Sequence, residues 1–397
     1  MKKFIITKPN PKKHKKQLAQ IFAMTFPFPN YFKMYDHATE RYFYHSHYDW
    51  ENSRIGIIGE EIVSHFGVWN YQMRVGNARL KTAGIGAVLT HNNFRKHGYL
   101  TKTANAALES VKSAGYDFSI LFGIRNFYHK FGYARAWNNS HYIISLDNLP
   151  KEKPEFSIKK MRKAHYPEME KLYNKVTKKL TGTAVRPTYS LFPKDELGYY
   201  WTDKKGNFAG YLFVKINPNE LDCVEAIGDV EQILRVTSVI AKKNLKTTIR
   251  FSHLHYNLPI AEALRRRNCR VEINYEACGG PMAKIINLKT TMQNLLPELS
   301  VKINESLIPK YKGELLVSDS NEKVFLKIAN GNVSVIENSK TKNFIKGNFK
   351  LAELLLGTDD PRETAKACGI KFGGEGKMLA EILFPNRHPQ QFIRDFF

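Results

Sequence analysis

The sequence predicts a mixed α+β and α/β chain of three successive units, the second echoing the element order of the first. Three observations predict it. Stretches with alternating apolar residues interleave with stretches whose apolar positions recur every three or four residues. A polar, proline-containing break, Leu149-Pro150-Lys151-Glu152-Lys153-Pro154, is followed by a restart of the same order. From about Leu288 the pattern changes again, to a strand meander and short helices. The units are expected at 1–150, 151–287 and 288–397, and 397 residues suit several domains better than one.

In the first unit, Phe4 to Thr7 reads as a strand and Pro11 to Ala23 as a helix. Ser53 to Ile58 and Ile62 to Met73 read as strands paired around Gly59-Glu60, with a second turn at Gly76-Asn77. Lys81 to Leu89 is the next strand. A helix from Leu100 to about Ser113 sets Leu100, Ala104, Ala107, Leu108 and Val111 on one face. Phe118 to Ile124 reads as a buried strand, followed by a short helix through Tyr128 and a strand pair around Tyr133 to Ile144.

The second unit repeats this architecture without repeating its sequence. Phe156 to Met161 is a strand, Pro167 to Lys179 a helix, and Tyr199 to Thr202 pairs with Phe208 to Ile216 across Lys204-Lys205-Gly206. Leu221 to Ile227, a helix from Val230 to Lys243, and Thr247 to Ser252 follow; Pro259 to Arg267 is a helix and Arg270 to Tyr275 a strand. In the third unit, Glu314 to Val317, Val324 to Ile328 and Asn332 to Ile336 form a meander, before helices at Leu351-Leu356 and Arg362-Cys368.

Composition narrows the function. With 43% hydrophobic and 12% aromatic residues, the chain can fill packed cores, so a largely disordered protein is excluded. No apolar run is long enough to span a bilayer, and the basic start has too short an apolar segment for a signal peptide. A cytoplasmic protein without a membrane partner is expected. The net charge of +24 raises nucleic acid as a partner. The lysines are spread through the chain, however, and no zinc-finger, basic-zipper or RNA-recognition signature accompanies them, so a solvated basic surface is the better reading. Cys223, Cys269, Cys278 and Cys368 are scattered, and His45-x-His47 with Asp49 lacks further ligands at suitable spacing; no metal is expected.

The chemistry concentrates in the run from Gly84 to Leu100. A short apolar strand ending at Ala87, Val88 and Leu89 enters a basic loop, Arg95-Lys96-His97-Gly98-Tyr99-Leu100, which opens a helix. That order suits a pyrophosphate: glycine allows close backbone approach, and the helix start offers free N–H groups and a positive dipole end. In the second unit the corresponding strand leads into Gly228-Asp229-Val230-Glu231, whose carboxylates would repel a phosphate. One helix after the basic loop comes Phe118-Ser119-Ile120-Leu121-Phe122-Gly123-Ile124-Arg125-Asn126-Phe127-Tyr128-His129-Lys130-Phe131-Gly132-Tyr133, again strand, short helix and glycine turn.

Together these stretches resemble the GNAT superfamily of acetyl-CoA-dependent N-acetyltransferases, whose Arg-x-x-Gly-x-Gly/Ala loop binds the cofactor pyrophosphate. Arg95 and Gly98 match that motif; Leu100 departs from its usual small final residue. Over the whole chain the resemblance is to the enhanced-intracellular-survival (Eis) branch. It implies two tandem GNAT folds, the second degenerate, followed by a sterol-carrier-protein-like α+β domain. It implies acetyl-CoA as co-substrate, held by Ala87, Val88, Leu89, Arg95, Lys96, His97, Gly98, Tyr99 and Leu100, with Gly123 and Asn126. It further implies Tyr128 as general acid, the carboxylate of Phe397 as general base, and a hexameric homo-oligomer.

These roles are chemically coherent. Acyl transfer to an amine needs a base for the amine proton and an acid for the leaving thiolate. A carboxylate beside Phe396 and Phe397 would be partly desolvated, which favours its action as a base. The family's acceptor pocket is lined by the early helical region, here the aromatic group Phe26, Phe28, Tyr31, Phe32, Tyr35, Tyr42, Phe43 and Tyr44. Phe26, Tyr35 and Asp36 are the candidate substrate residues, and the acceptor is a primary amine of a small molecule, peptide or lysine. Two alternatives remain: a non-catalytic acyl-CoA or apolar-ligand binding protein of the same fold, and a basic nucleic-acid-associated protein.

Overall fold

The computed structural model describes residues 3–43, 47–188 and 196–397. Tyr44 and His45, named above, lie outside them. The first third of the chain supplies β1 (Phe4–Thr7), β2 (Arg54–Ile58), β3 (Glu61–Val75), β4 (Ala78–Thr90), β5 (Phe118–Gly123) and β6 (Ala134–Arg135). Its helices are α1 (Lys15–Thr25), α2 (Tyr31–His37) and α3 (Tyr99–Ser113). Next come β7 (Asn139–Ser145), β8 (Lys159–Lys160), β9 (Leu197–Thr202), β10 (Phe208–Ile216), β11 (Leu221–Ile227), β12 (Thr248–Phe251) and β13 (Arg270–Asn274). With them come α4 (Tyr166–Val176), α5 (Val230–Lys243) and α6 (Pro259–Arg265). The rest is β14 (Gly280–Ile285), α7 (Leu288–Glu305), β15 (Gly313–Ser318), β16 (Lys323–Ala329), β17 (Asn332–Ile336), β18 (Phe344–Lys346), α8 (Leu351–Leu356), α9 (Pro361–Cys368), β19 (Lys371–Gly373) and α10 (Gly376–Leu383).

Two seven-stranded sheets share one plan. The first runs β1-β2-β3-β4-β5-β14-β6 and the second β8-β9-β10-β11-β12-β7-β13. In each, an antiparallel pair leads to a parallel partner through a helix: β4 to β5 through α3, and β11 to β12 through α5. The position beside that parallel partner is filled from the other sheet's stretch of chain. β7 precedes residue 150 yet pairs with β12 and β13, and β14 precedes residue 287 yet pairs with β5 and β6. Two strands therefore lie across the expected divisions. The Tyr133–Ile144 pair also resolves differently, into β6 of one sheet and β7 of the other. Exchange of this kind leaves no local sequence signal, because both strands are matched by partners more than 100 residues away.

Other differences have identifiable causes. The strand expected over Phe156–Met161 shrinks to β8, which pairs at the sheet edge with only Tyr199 and Tyr200. β14 is absent from the sequence expectations, and Gly280 and Pro281 are weak strand formers; Pro281 nevertheless sits opposite Phe122. α7 was hidden by Pro297 inside it. Its buried residues, Leu288, Thr291, Met292, Leu295, Glu298, Leu299 and Ile303, keep helical spacing throughout. The helix starts cleanly because the Asn287 side chain accepts from Thr290 N at 3.1 Å.

α7 packs between layers. Its apolar stripe meets Tyr71, Met73, Leu80 and Phe118 on one face of the first sheet, and Leu315, Val317 and Leu326 of the third. That third sheet runs β17-β16-β15-β18-β19. The third unit thus shares its core with the first. The opposite face of the first sheet is covered by α3, where Ala104, Ala107 and Val111 pack on Phe66, Val68, Ala83 and Ile85. No described helix is long and apolar enough to cross a membrane.

Candidate active site

β4 and β5 pair only from Thr82 to Ile85 against Phe118 to Leu121, and beyond Ile85 the two strands part. On its other side β4 stays with β3, but with one residue too many. Gly86 stands opposite Gly67, while Leu89 stands opposite His65. The extra residue is a bulge that frees main-chain groups at the mouth of the gap. Ala87 there has φ 46°, a left-handed conformation that costs a non-glycine residue energy unless its surroundings enforce it.

The enforcing contacts are buried. The His65 imidazole hydrogen-bonds Ala87 O at 2.7 Å through Nδ1 and the Tyr48 hydroxyl at 2.7 Å through Nε2. Burial lowers the His65 pKa to about 4, so the ring is neutral. With Ala87 O an obligate acceptor, Nδ1 carries the proton and Nε2 accepts from Tyr48. The Tyr42 hydroxyl takes a hydrogen bond from the Ala87 main chain, and its burial drives its own pKa upward. The bulge is therefore preorganised, as main-chain dipoles facing a reacting carbonyl need to be.

The basic loop follows. Arg95, Lys96, His97 and Gly98 are exposed, with Tyr99 and Leu100 half-buried. His97 Nδ1 lies 2.7 Å from Arg95 O, and its ring stacks on Tyr99, which in turn stacks on Phe4 at 4.3 Å. Gly98 caps α3 with φ 73°, and nothing lies within 4 Å of where its side chain would be. Its value here is the left-handed turn and the open space in front of it. No acidic residue stands in the first turn of α3, and the first helical bond, Lys102 N to Gly98 O, is at 3.2 Å. The amides before it face the loop. The arrangement fits a pyrophosphate: free N–H groups, a positive helix end and three basic side chains. At the corresponding place in the second unit, Asp229 takes up Gln232 N at 3.1 Å and Trp201 packs against Gly228. There the helix start is capped by a carboxylate of its own chain.

On the β5 side stands Tyr128, in a 3-10 turn spanning Tyr128–Phe131 and buried against Gly123. Among the described residues nothing hydrogen-bonds its hydroxyl, whereas the neighbouring Tyr133 is tied to Ser119 Oγ at 2.6 Å. Burial raises the Tyr128 pKa to about 12. The phenol is thus fully protonated at neutral pH and available as a donor. Asn126 is exposed at φ 59° and donates its main-chain N–H to Cys278 O at 2.8 Å, which fixes the bend between β5 and this turn.

Into the same gap runs the end of the chain. The Phe396 ring stacks on Phe122 at 3.7 Å, and the Phe397 ring lies among Trp69, Tyr71 and Phe122 at 5.6–6.4 Å. A methyl group at Gly86 would fall 2.8 Å from the Tyr42 hydroxyl and 3.3 Å from the Phe397 carboxyl carbon. The carboxyl thus abuts the bulge. Tyr42, Trp69, Tyr71, Phe122 and the glycines Gly84 and Gly86 were not singled out as cofactor or catalytic residues by the sequence. Their signal was there only as bare glycines in an apolar strand, which mark a close approach by other atoms.

The candidate acceptor residues sit at the rim. Phe26 is 41% exposed, Asp36 is exposed, and Tyr35 packs partly into the cluster around Phe22 and Tyr42. Elsewhere, in the run Arg265-Arg266-Arg267, Arg266 and Arg267 pair with Glu262 and Glu231, so the run is no open cationic face. His47 contacts Asn70 O, and Asp49 accepts from Tyr116 and Asn52, which occupies both in holding structure.

Comparison with known proteins bears on the fold that carries this site. Residues 8–136 match the family described as "Acetyltransferase (GNAT) domain". No curated protein matches the chain by sequence. Among solved structures, a GCN5-related N-acetyltransferase from Anabaena variabilis is similar over 100% of both chains, at 16% identity and TM-score 0.77. A probable N-acyltransferase from Enterococcus faecalis matches over 100% of both, at 16% identity and TM-score 0.75. Eis1 from Mycobacterium abscessus matches over 96% of this chain and 97% of its own, at 13% identity and TM-score 0.65. Residues 8–136 thus carry an acetyltransferase (GNAT) domain, and over its whole length the chain shares the fold of these solved structures.

Proposed function

We propose that the chain transfers an acetyl group from acetyl-CoA directly to a primary amine, with the Phe397 carboxylate as base and Tyr128 as acid. One observation carries this: the Phe397 carboxyl carbon and the β4 bulge meet at Gly86, in the gap whose β5 side holds the Tyr128 hydroxyl, without a hydrogen-bond partner among the described residues. Acetyl-CoA supplies the activated thioester. Arg95, Lys96, His97 and the amides of Gly98, Tyr99 and Leu100 hold its pyrophosphate, and Ala87, Val88 and Leu89 offer main-chain groups along its arm. Gly123 and Asn126 close the β5 side.

Each step follows from these groups. Phe397 takes the proton of the attacking amine, so the nitrogen bonds to the acetyl carbon as a neutral nucleophile. The Ala87–Val88 amides stand where negative charge develops on the thioester oxygen. Tyr128 gives its proton to the sulfur as the carbon–sulfur bond breaks. The proton held on Phe397 then returns to Tyr128 through solvent, and both groups regain their starting states.

Residues 1–150, 151–287 and 288–397 would act as catalytic GNAT unit, degenerate GNAT unit and sterol-carrier-protein-like unit. Like the Eis branch it resembles, the enzyme would work in the cytoplasm as a homo-oligomer, which light scattering checks. The function itself is tested by thiol release from acetyl-CoA in the presence of a panel of small amines, amino-terminal peptides and lysine peptides. Amine-dependent release supports it; release that no amine stimulates contradicts it.

A further inference from the structure

Arg186 lies at a place where three separated parts of the chain meet. Its guanidinium donates to both Glu225 oxygens, at 2.7 and 2.6 Å, and to both Asp395 oxygens, at 2.8 and 3.0 Å. The side chains of all three are at most 4% exposed, Asp395 being at 0%. Tyr173 and Thr188 donate to Asp395 at 2.9 and 2.8 Å, and Tyr211 donates to Glu225 at 2.6 Å. The Tyr173 ring lies 3.6 Å beneath the guanidinium. All three guanidinium nitrogens and all four carboxylate oxygens have a hydrogen-bond partner.

The placement of the cluster is informative. β11 pairs with β12 only from Leu221 to Cys223 and then parts from it, as β4 parts from β5. It also carries one extra residue opposite β10, between Cys223 and Glu225. Glu225 therefore lies at the second unit's counterpart of the cofactor gap. What enters there is the chain's own end: Phe392 is packed into the second core against Tyr173, and Asp395 is clamped by Arg186. Arg186 is in turn stitched to the catalytic sheet. Its segment bonds to β3 through Arg74 N to Thr183 O at 2.8 Å, Gly182 N to Arg74 O at 2.9 Å and Val185 N to Gln72 O at 2.9 Å. Tyr71, next to Gln72, touches the Phe397 ring.

We propose that Arg186 is a positioning residue which, through Asp395, fixes the Phe397 carboxylate at the β4 bulge, so that the second GNAT fold serves as the receptor for the catalytic terminus. The proposal rests on Phe397 being the base. Two residues beyond Asp395 span at most about 7 Å, so clamping Asp395 leaves Phe397 little room to wander. A fully buried ion cluster is a poor source of net stability, because desolvation offsets its attraction. Its use is geometric: two bidentate forks from one guanidinium define one register for the terminal segment.

The test uses the full chain, with Arg186→Lys and Asp395→Asn, which keep charge or shape but break the forks. Tyr173→Phe, which removes one hydrogen bond to Asp395, serves if either fails to fold. Three quantities are read: kcat, KM for acetyl-CoA, and the rate at which carboxypeptidase releases Phe397. Expected are a kcat at least tenfold lower, a KM within twofold of the parent, and release at least tenfold faster; Tyr173→Phe gives about threefold in each changed quantity. Restoring Asp395 in the Asp395→Asn chain restores both. Unchanged kcat with unchanged release overturns the anchor. The parent chain extended by several residues separates the two readings. If extension abolishes turnover while the anchor variants change nothing, the base stands and the anchor falls. If extension leaves turnover intact, the base is wrong, and the catalytic role of Arg186 falls with it even where release is faster.

Discussion

The Phe397 ring lies flat enough against Gly84 of β4 that a methyl group there would sit 2.7 Å from it. The central strand of the catalytic sheet is bare at this point because another part of the chain, more than 300 residues on, takes up the space. Gly84→Ala should therefore displace the terminus while leaving the strand intact. We expect a kcat at least tenfold lower and a stability loss of about 1–3 kcal/mol from overpacking. Thermal denaturation and steady-state turnover measure the two. A variant with parental turnover would show that the ring does not need its seat.

Tyr128→Phe removes a phenol on the β5 side of the gap that has no hydrogen-bond partner among the described residues; the Tyr71 hydroxyl, on the β3 side, also has none. If the Tyr128 hydroxyl protonates the leaving sulfur, turnover falls on the order of a hundredfold. Because burial moves its pKa up to about 12, the parent should show no loss of kcat from Tyr128 ionisation as pH rises to about 10. A pH profile with an alkaline break near 10 that Tyr128→Phe abolishes would mean that the phenol is not buried as described.

In the proposed site Arg95 holds the pyrophosphate, at a distance from the reacting atoms. Arg95→Ala should raise the KM for acetyl-CoA about tenfold with kcat within twofold, and the effect should shrink as ionic strength rises, since Arg95 is exposed. Equal losses in kcat and kcat/KM would instead place Arg95 at the reacting centre.

Stability should fall in mild acid. Burial lowers the pKa of His65, His253 and His255 to about 4 each, from an ordinary value of 6.5. Between those values the unfolded chain binds protons that the folded chain refuses, so stability is full above pH 6.5 and lost as pH falls toward 4. For the fully buried His65 and His255 the loss is about 2 kcal/mol each at pH 5. Urea denaturation at pH 7.5 and pH 5 measures it. Equal unfolding free energies at the two values would contradict the assigned burial.

The candidate donor end of the site stands out in the sequence because its signals are local. A strand end, Arg95, Gly98 and a helix start follow one another within some fifteen residues, and each has a physical meaning on its own. Tyr128 was legible only through its surrounding Phe-Tyr-x-x-Phe-Gly-Tyr pattern, since an isolated tyrosine reads equally well as core. The remainder was hidden for two reasons. Pro281 and Pro297 are stop signals by local chemistry, and tertiary packing overrode both, giving β14 and the full length of α7. The exchange of β7 and β14, and the meeting of Arg186 with Glu225 and Asp395, depend on partners far apart in sequence, so no window along the chain contains them.

The central claim is that the carboxylate of Phe397, seated beside the Ala87 bulge, takes the proton of the attacking amine. The most direct measurement compares single-turnover acetyl transfer by the chain ending at Phe397 with that of a chain carrying a few added residues, alongside acetyl-CoA binding by both. The account predicts unchanged binding and a transfer rate at least a hundredfold lower for the extended chain. Equal transfer rates would contradict it.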